Sequence, residues 1–139
     1  MKTVILYLTF LLMSLFSTAQ EVSGITITVT TPNVTGDQGE VIYGLYDQNT
    51  FMKAAPIQAA KSNIKNGVAT ITFTNVPEGN YAISCFHDTN GNNRMDFEAN
   101  GMPKENYGIS NNNMSYGPPV WADAKFEVAT ENIVMEIRM

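Results

Sequence analysis

Residues 66–87 read NGVATITFTNVPEGNYAISCFH. Asn66 and Gly67 both tolerate positive φ, which a two-residue type I′ hairpin requires. After them Ala69, Ile71 and Phe73 alternate with Thr70, Thr72 and Thr74. Val68 to Thr74 is therefore expected as a strand with one apolar face and one wet face. Pro77-Glu78-Gly79 reads as a turn, because proline pre-sets φ and glycine suits the exit. Tyr81 to His87 follows as the next strand.

The same period of two extends to both sides. Upstream, Ile25, Ile27 and Val29 alternate with Thr26, Thr28 and Thr30, which predicts a strand over 24–30. Pro32 and Gly36-Asp37-Gln38-Gly39 form a loop. Val41 to Tyr46 is a strand, 47–55 a loop or short helical turn, and Ile57 to Ile64 a further strand. Downstream, Lys125 to Thr130 and Ile133 to Arg138 are expected to close the chain as a hairpin, with Ile133, Met135 and Ile137 on one face. The pattern predicts an all-β fold: one antiparallel β-sandwich of about seven strands over residues 20–139, without repeats or linkers. A barrel is the architectural alternative.

The first residues read differently. Lys2 precedes a mostly apolar run from Val4 to Phe16, and Ser17-Thr18-Ala19 supplies small side chains for a cut after Ala19. This is the order of a secretory signal peptide over residues 1–19. The alternative is a membrane anchor, but 13 residues rise only about 20 Å as a helix, short of a ~30 Å hydrocarbon core. The expected product is exported, periplasmic or secreted, and spans no membrane once cleaved. Without Lys2 it carries 7 basic against 13 acidic residues.

Composition narrows the partners. The 139 residues carry a net charge of −5, without a basic stripe, which excludes nucleic acid as an expected ligand. A single Cys excludes an internal disulfide, and a single His excludes a multi-histidine metal site. Cys85, in mid-strand, is expected to be a buried, inert thiol.

Residues 88–124 break the pattern. Asn accounts for 8 of the 26 residues from 88 to 113, a composition that favours turns and buries little apolar surface. From Asp88 the chain reads Asp-Thr-Asn-Gly-Asn-Asn-Arg-Met-Asp. Asp88, Asn90 and Asn92 place oxygens at positions 1, 3 and 5, Arg94 offers a backbone carbonyl at position 7, and Asp96 stands at position 9. Calcium takes six to eight hard oxygens, and such alternation can supply them. Asn93 replaces the usual glycine at position 6, and Ala99 replaces the bidentate Glu at position 12, beside Glu98. The expectation is a weak structural calcium site. The alternative is an Asx-rich loop held by its own hydrogen bonds.

Val76-Pro77-Glu78-Gly79-Asn80-Tyr81-Ala82, His87-Asp88-Thr89-Asn90-Gly91-Asn92, Asp96 and Gly101-Met102-Pro103-Lys104-Glu105-Asn106-Tyr107-Gly108-Ile109-Ser110-Asn111 together resemble the bacterial domain of unknown function 2141 family. Pro118 and Ala124-Lys125-Phe126 fit its C-terminal part. The resemblance implies a small exported bacterial protein without an established activity. The proline–glycine–tyrosine turn ahead of an Asp/Asn loop also looks like transthyretin-like and immunoglobulin-like modules.

Further candidates surround the loop. His87 is expected to hydrogen-bond a loop group, with Glu105 one candidate. Tyr107, Tyr116 and Trp121 could form a stacking surface for sugar or peptide, or a small core under the loop. No nucleophile motif, phosphate loop or cofactor fingerprint occurs, so no catalytic residue is assigned. An enzyme using His87 with Asp88 or Glu105 is the remaining alternative. The reading is an exported, non-enzymatic binding or structural module with an unknown protein or glycan ligand in the cell envelope.

Overall fold

The computed structural model describes residues 24–113 and 115–139; the expected signal peptide lies outside them. Eight strands occur among the described residues. They are β1 (Ile25–Thr31), β2 (Glu40–Tyr46), β3 (Gln58–Asn63), β4 (Ala69–Val76), β5 (Gly79–Asp88), β6 (Tyr107–Ile109), β7 (Phe126–Val128) and β8 (Ile133–Glu136). One sheet has the order β4-β1-β8; the other runs β3-β2-β5-β6, with β7 also paired to β5. The two sheets pack as a sandwich rather than a closed barrel.

Alternation makes both the strands and the core. In β1, Ile25, Ile27, Val29 and Thr31 are buried; in β4, Ala69, Ile71 and Phe73 are. The intervening threonines line the outer face, where Thr28 meets Thr72 (3.1 Å) and Thr30 meets Thr70 (3.3 Å) through their hydroxyls. Such cross-strand pairs reinforce register. The β1–β4 ladder then shifts, since Ile27 pairs with Phe73 but Ile25 with Val76. Asn75, at φ 54°, takes up the extra residue. This bulge returns Val76 to the core. Tyr43, Leu45 and Ile83 fill the core from the second sheet. Each fully buried large side chain contributes about 1.5–3 kcal/mol.

The Asn66-Gly67 turn has φ 52° and 75°, as the hairpin reading requires. It joins strands of different sheets. Lys65 and Val68 exchange both backbone hydrogen bonds, after which β3 continues along β2 and β4 along β1. The turn is a corner of the sandwich.

Two expectations need correction. β7 and β8 do not form a terminal hairpin: β7 pairs antiparallel with β5, while β8 pairs with β1 in parallel. Residues 129–132 carry the chain from one sheet to the other, and the Asn132 side chain accepts a hydrogen bond from the Thr26 N–H (3.0 Å) to fix β8 at its start. The sandwich is therefore not wholly antiparallel. Nor is 88–124 one featureless loop. It contains β6, a 3₁₀ turn at Ser110–Asn112 and a single-turn helix, α1 (Trp121–Ala124).

β6 and β7 share one edge of β5. β6 covers Ser84–Phe86 and β7 covers Gly79–Tyr81. In the gap, the Ile83 N–H donates to Ser110 Oγ (3.0 Å), and that hydroxyl donates to the Ala124 carbonyl (2.5 Å). A buried serine hydroxyl thus replaces a missing rung of the ladder.

Candidate functional site

The Asp/Asn loop leaves the end of β5. Asp88, the last strand residue, is 1% exposed. Its two carboxylate oxygens accept the N–H groups of Gly91 (2.9 Å) and Asn93 (2.8 Å). Asn90 Oδ1 accepts the Asn92 N–H (3.2 Å), and Asn92 Oδ1 accepts the Arg94 N–H (3.1 Å). Successive Asx turns therefore coil the backbone in steps of two or more residues. The turn at position 6 forms without glycine: Asn93 has φ 63°. Asn tolerates this left-handed region at small cost.

Three side chains converge. Asp96 accepts hydrogen bonds from the amides of Asn90 (2.7 Å) and Asn92 (2.9 and 3.0 Å). These bonds, the Asn90 one foremost, hold the Asp96 carboxyl below its usual range, with the Arg94 and Lys104 charges adding to them and slight burial opposing. The Arg94 guanidinium lies 4.0 Å from Asp96 and is largely exposed, a pair of little energy.

Glu105 closes the loop from the other side. Its carboxylate accepts the Thr89 N–H (3.2 Å) and the Asp96 N–H (3.3 Å), tying the loop's beginning to its middle. Lys104 N–H donates to the Asp96 carbonyl (2.8 Å), and Asn106 accepts the His87 N–H (2.9 Å). The chain between, 97–103, folds back on itself through Glu98 and Met102. Among the described residues no three His, Cys, Asp or Glu side chains form a metal-binding group. A cation in this loop would draw on amide and backbone oxygens beside its carboxylates, a donor set suited to a hard ion.

The other candidates sit apart. His87 is 3% exposed, and its Nε2 lies 2.6 Å from the Gln38 carbonyl, not on Glu105. The expected His87–Glu105 contact is replaced because the loop before β2 covers the end of β5. Gly39 there leaves no room for a Cβ, which would lie 2.2 Å from the Asp88 carbonyl. Cys85 is buried, and desolvation pushes its thiol up to about 12. Tyr107 is exposed on edge strand β6, Tyr116 is fully exposed, and Trp121 is half-buried against Phe51, ring centroids 5.8 Å apart. Tyr107 and Trp121 line two different depressions. The three aromatics are not brought to one platform.

The sequence reading missed Ser110, which showed no signal beyond a small polar residue after a short apolar run. The 47–55 stretch is the turn expected of it, but the anchoring role of the Asp47 side chain was missed. There Asp47 Oδ1 accepts the N–H groups of Asn49 and Thr50 and the Thr50 hydroxyl (2.9–3.0 Å). The Asp-x-x-Thr spacing was its available sign.

The family model described as "Uncharacterized protein conserved in bacteria (DUF2141)" matches residues 29–136. The chain belongs to this family. The DUF2141 match runs from within β1 to the end of β8, so it takes in both sheets and the whole Asp/Asn loop. No curated protein and no solved structure matches the chain.

Proposed function

We propose that this DUF2141 chain is an exported, non-enzymatic binding or structural module whose 88–96 loop holds calcium in a structural role. The ordered loop would present the surface of residues 97–121 to a protein or glycan of the cell envelope. One observation carries the reading: Asn90, Asn92 and Asp96 converge at hydrogen-bond distance on the same side of a loop begun by buried Asp88.

The chemistry supports it. A carboxylate has about four lone-pair sites, so the two N–H groups on Asp88 leave acceptor capacity. An amide oxygen has two, so Asn90 and Asn92 can each keep one backbone N–H and turn toward a cation. Calcium would replace the amide N–H groups now facing Asp96, and water would complete the shell. Two carboxylates and no bidentate Glu correspond to a dissociation constant of about 10⁻⁴–10⁻³ M, adequate outside the cytoplasm. Export rests on Lys2, the apolar run and the Ser17-Thr18-Ala19 site. The absence of catalysis is supported by the two side chains best suited to it: His87 is committed to a carbonyl, and Cys85 is a buried neutral thiol.

Calorimetric titration of the purified protein with calcium tests the reading. Saturable heat in the stated range is expected, with a raised melting temperature and no response from Asp96→Ala. No heat, together with identical melting in calcium and in chelator, would overturn it.

A further inference from the structure

A second depression lies away from the Asp/Asn loop, on the flank of β5 where β7 joins it. It has a volume of about 400 Å³ and is lined by Asp47, Gln48, Asn49, Asn80, Trp121 and Lys125. Ligand pockets commonly fall between roughly 300 and 1,000 Å³. We infer that this depression is a saccharide-binding site, in which Trp121 offers a stacking surface and Asp47, Asn49, Asn80 and Lys125 take the hydroxyl groups of a pyranose.

The walls are built before any ligand arrives. The Asp47–Ala54 turn closes on its own hydrogen bonds, among them Phe51 N–H to the Asp47 carbonyl (3.0 Å) and Ala54 N–H to the Thr50 carbonyl (2.9 Å). Phe51, 3% exposed, pins that turn to the fold and packs on both Tyr46 and Trp121. Trp121 is thereby held on one side while lining the depression on another. Ser110 fixes the far end of α1 through the Ala124 carbonyl. A rigid site of this kind spends little binding energy on ordering.

The polar groups match hydroxyls. The three hydrogen bonds to the Asp47 carboxylate all go to Oδ1, so Oδ2 has no partner among the described residues. Hydrogen bonding by Thr50 holds that carboxyl below its usual range, so it is an acceptor at neutral pH. Asn49, Asn80 and Gln48 each offer both a donor and an acceptor, and Lys125 offers donors. An aromatic ring beside planar amides and a carboxylate suits a molecule with an apolar C–H face and a rim of hydroxyls. A peptide is less well served. Strand addition needs a free backbone edge, and at Asn80 that edge of β5 is already paired with Glu127 of β7.

The inference names a ligand class for the module of the preceding section. It rests on the reading that the chain binds rather than catalyses, and does not require calcium. Trp121 is the single tryptophan of the chain and lines this depression, so its fluorescence is the direct reporter of binding here. The test titrates the full chain with maltose, cellobiose and chitobiose, in calcium and in chelator. A saturable Trp121 response to at least one disaccharide is expected, weakened roughly fivefold by the exposed substitution Asn80→Ala, the worth of about one hydrogen bond. Val134→Ala, exposed on β8 of the other sheet, should leave it unchanged. Trp121→Ala should abolish binding, read by calorimetry; should it fail to fold, Asn80→Ala and Asp47→Ala still decide. No response to any disaccharide would overturn the inference, as would a response to peptides alone or one insensitive to Asn80→Ala. Binding in calcium but not in chelator would overturn this site, because no residue lining it belongs to the Asp/Asn loop. Saccharide binding without any calcium effect is the result expected of this site, and the calcium reading is then decided by the calcium titration alone.

Discussion

Two regions of the chain are ordered by opposite means. From Ile25 to Asp88 the fold is held by apolar side chains at every second position, closed over one core. From Asp88 to Asn106 it is held by hydrogen bonds, most often side-chain oxygens meeting backbone N–H groups, with Asp88 and Glu105 as the buried anchors. The first region draws stability from area removed from water, a non-directional term. The second draws it from directed bonds, each worth only about 0.5–1.5 kcal/mol net. Removing one atom group should therefore spread through the first region and stay local in the second.

Phe73→Ala is the largest expected break. It empties a fully enclosed site between the sheets and should cost about 3–5 kcal/mol, read by chemical denaturation, with the whole chain unfolding earlier in one transition. Ser110→Ala should come next. It leaves the Ile83 N–H and the Ala124 carbonyl without their shared partner, at about 1–3 kcal/mol in all. Hydrogen exchange should quicken at Ile83, where the β6–β7 edge is bridged, before it quickens in β1 and β4.

Asp88→Ala should be smaller globally and sharper locally. It strips the partner from the Gly91 and Asn93 N–H groups, so limited proteolysis should cut within 88–106 while the sandwich still melts as a unit. Simultaneous loss of both would erase the distinction between the regions. Acid supplies the mildest test. The folded Asp96 carboxyl lies below its unfolded value, so its contribution is present above the ordinary carboxylate value of about 3.9. That contribution is lost as pH falls through the lower folded value. Loop proteolysis should rise on that acid side, and Asp96→Asn should reduce the pH dependence.

The same contrast explains what could be read from the residues. Where burial writes a period of two, as in Ile25-Thr26-Ile27-Thr28-Val29 or Ala69-Thr70-Ile71-Thr72-Phe73, strand and face are both legible. The Asn66-Gly67 turn was legible for its backbone conformation but not for the sheet each neighbour joins, because a tight corner and a hairpin share local chemistry. The parallel β1–β8 pair was hidden for a similar reason: alternation at Ile133, Met135 and Ile137 sets a face, not a direction. Within the loop, the oxygen spacing from Asp88 to Asp96 announced convergence. Its long-range members, Glu105 on Thr89 and Gln38 on His87, carry no periodic mark, and Ser110 depends on a gap between two strands far apart in sequence.

The most direct measurement is amide hydrogen exchange at Gly91, Asn93 and Asp96, with calcium in the millimolar range and with chelator. All three N–H groups are bound by carboxylates. The account predicts slowing by calcium at these positions, with β1 and β4 unchanged. Identical rates in the two conditions would contradict it and leave the loop supported by its own hydrogen bonds alone.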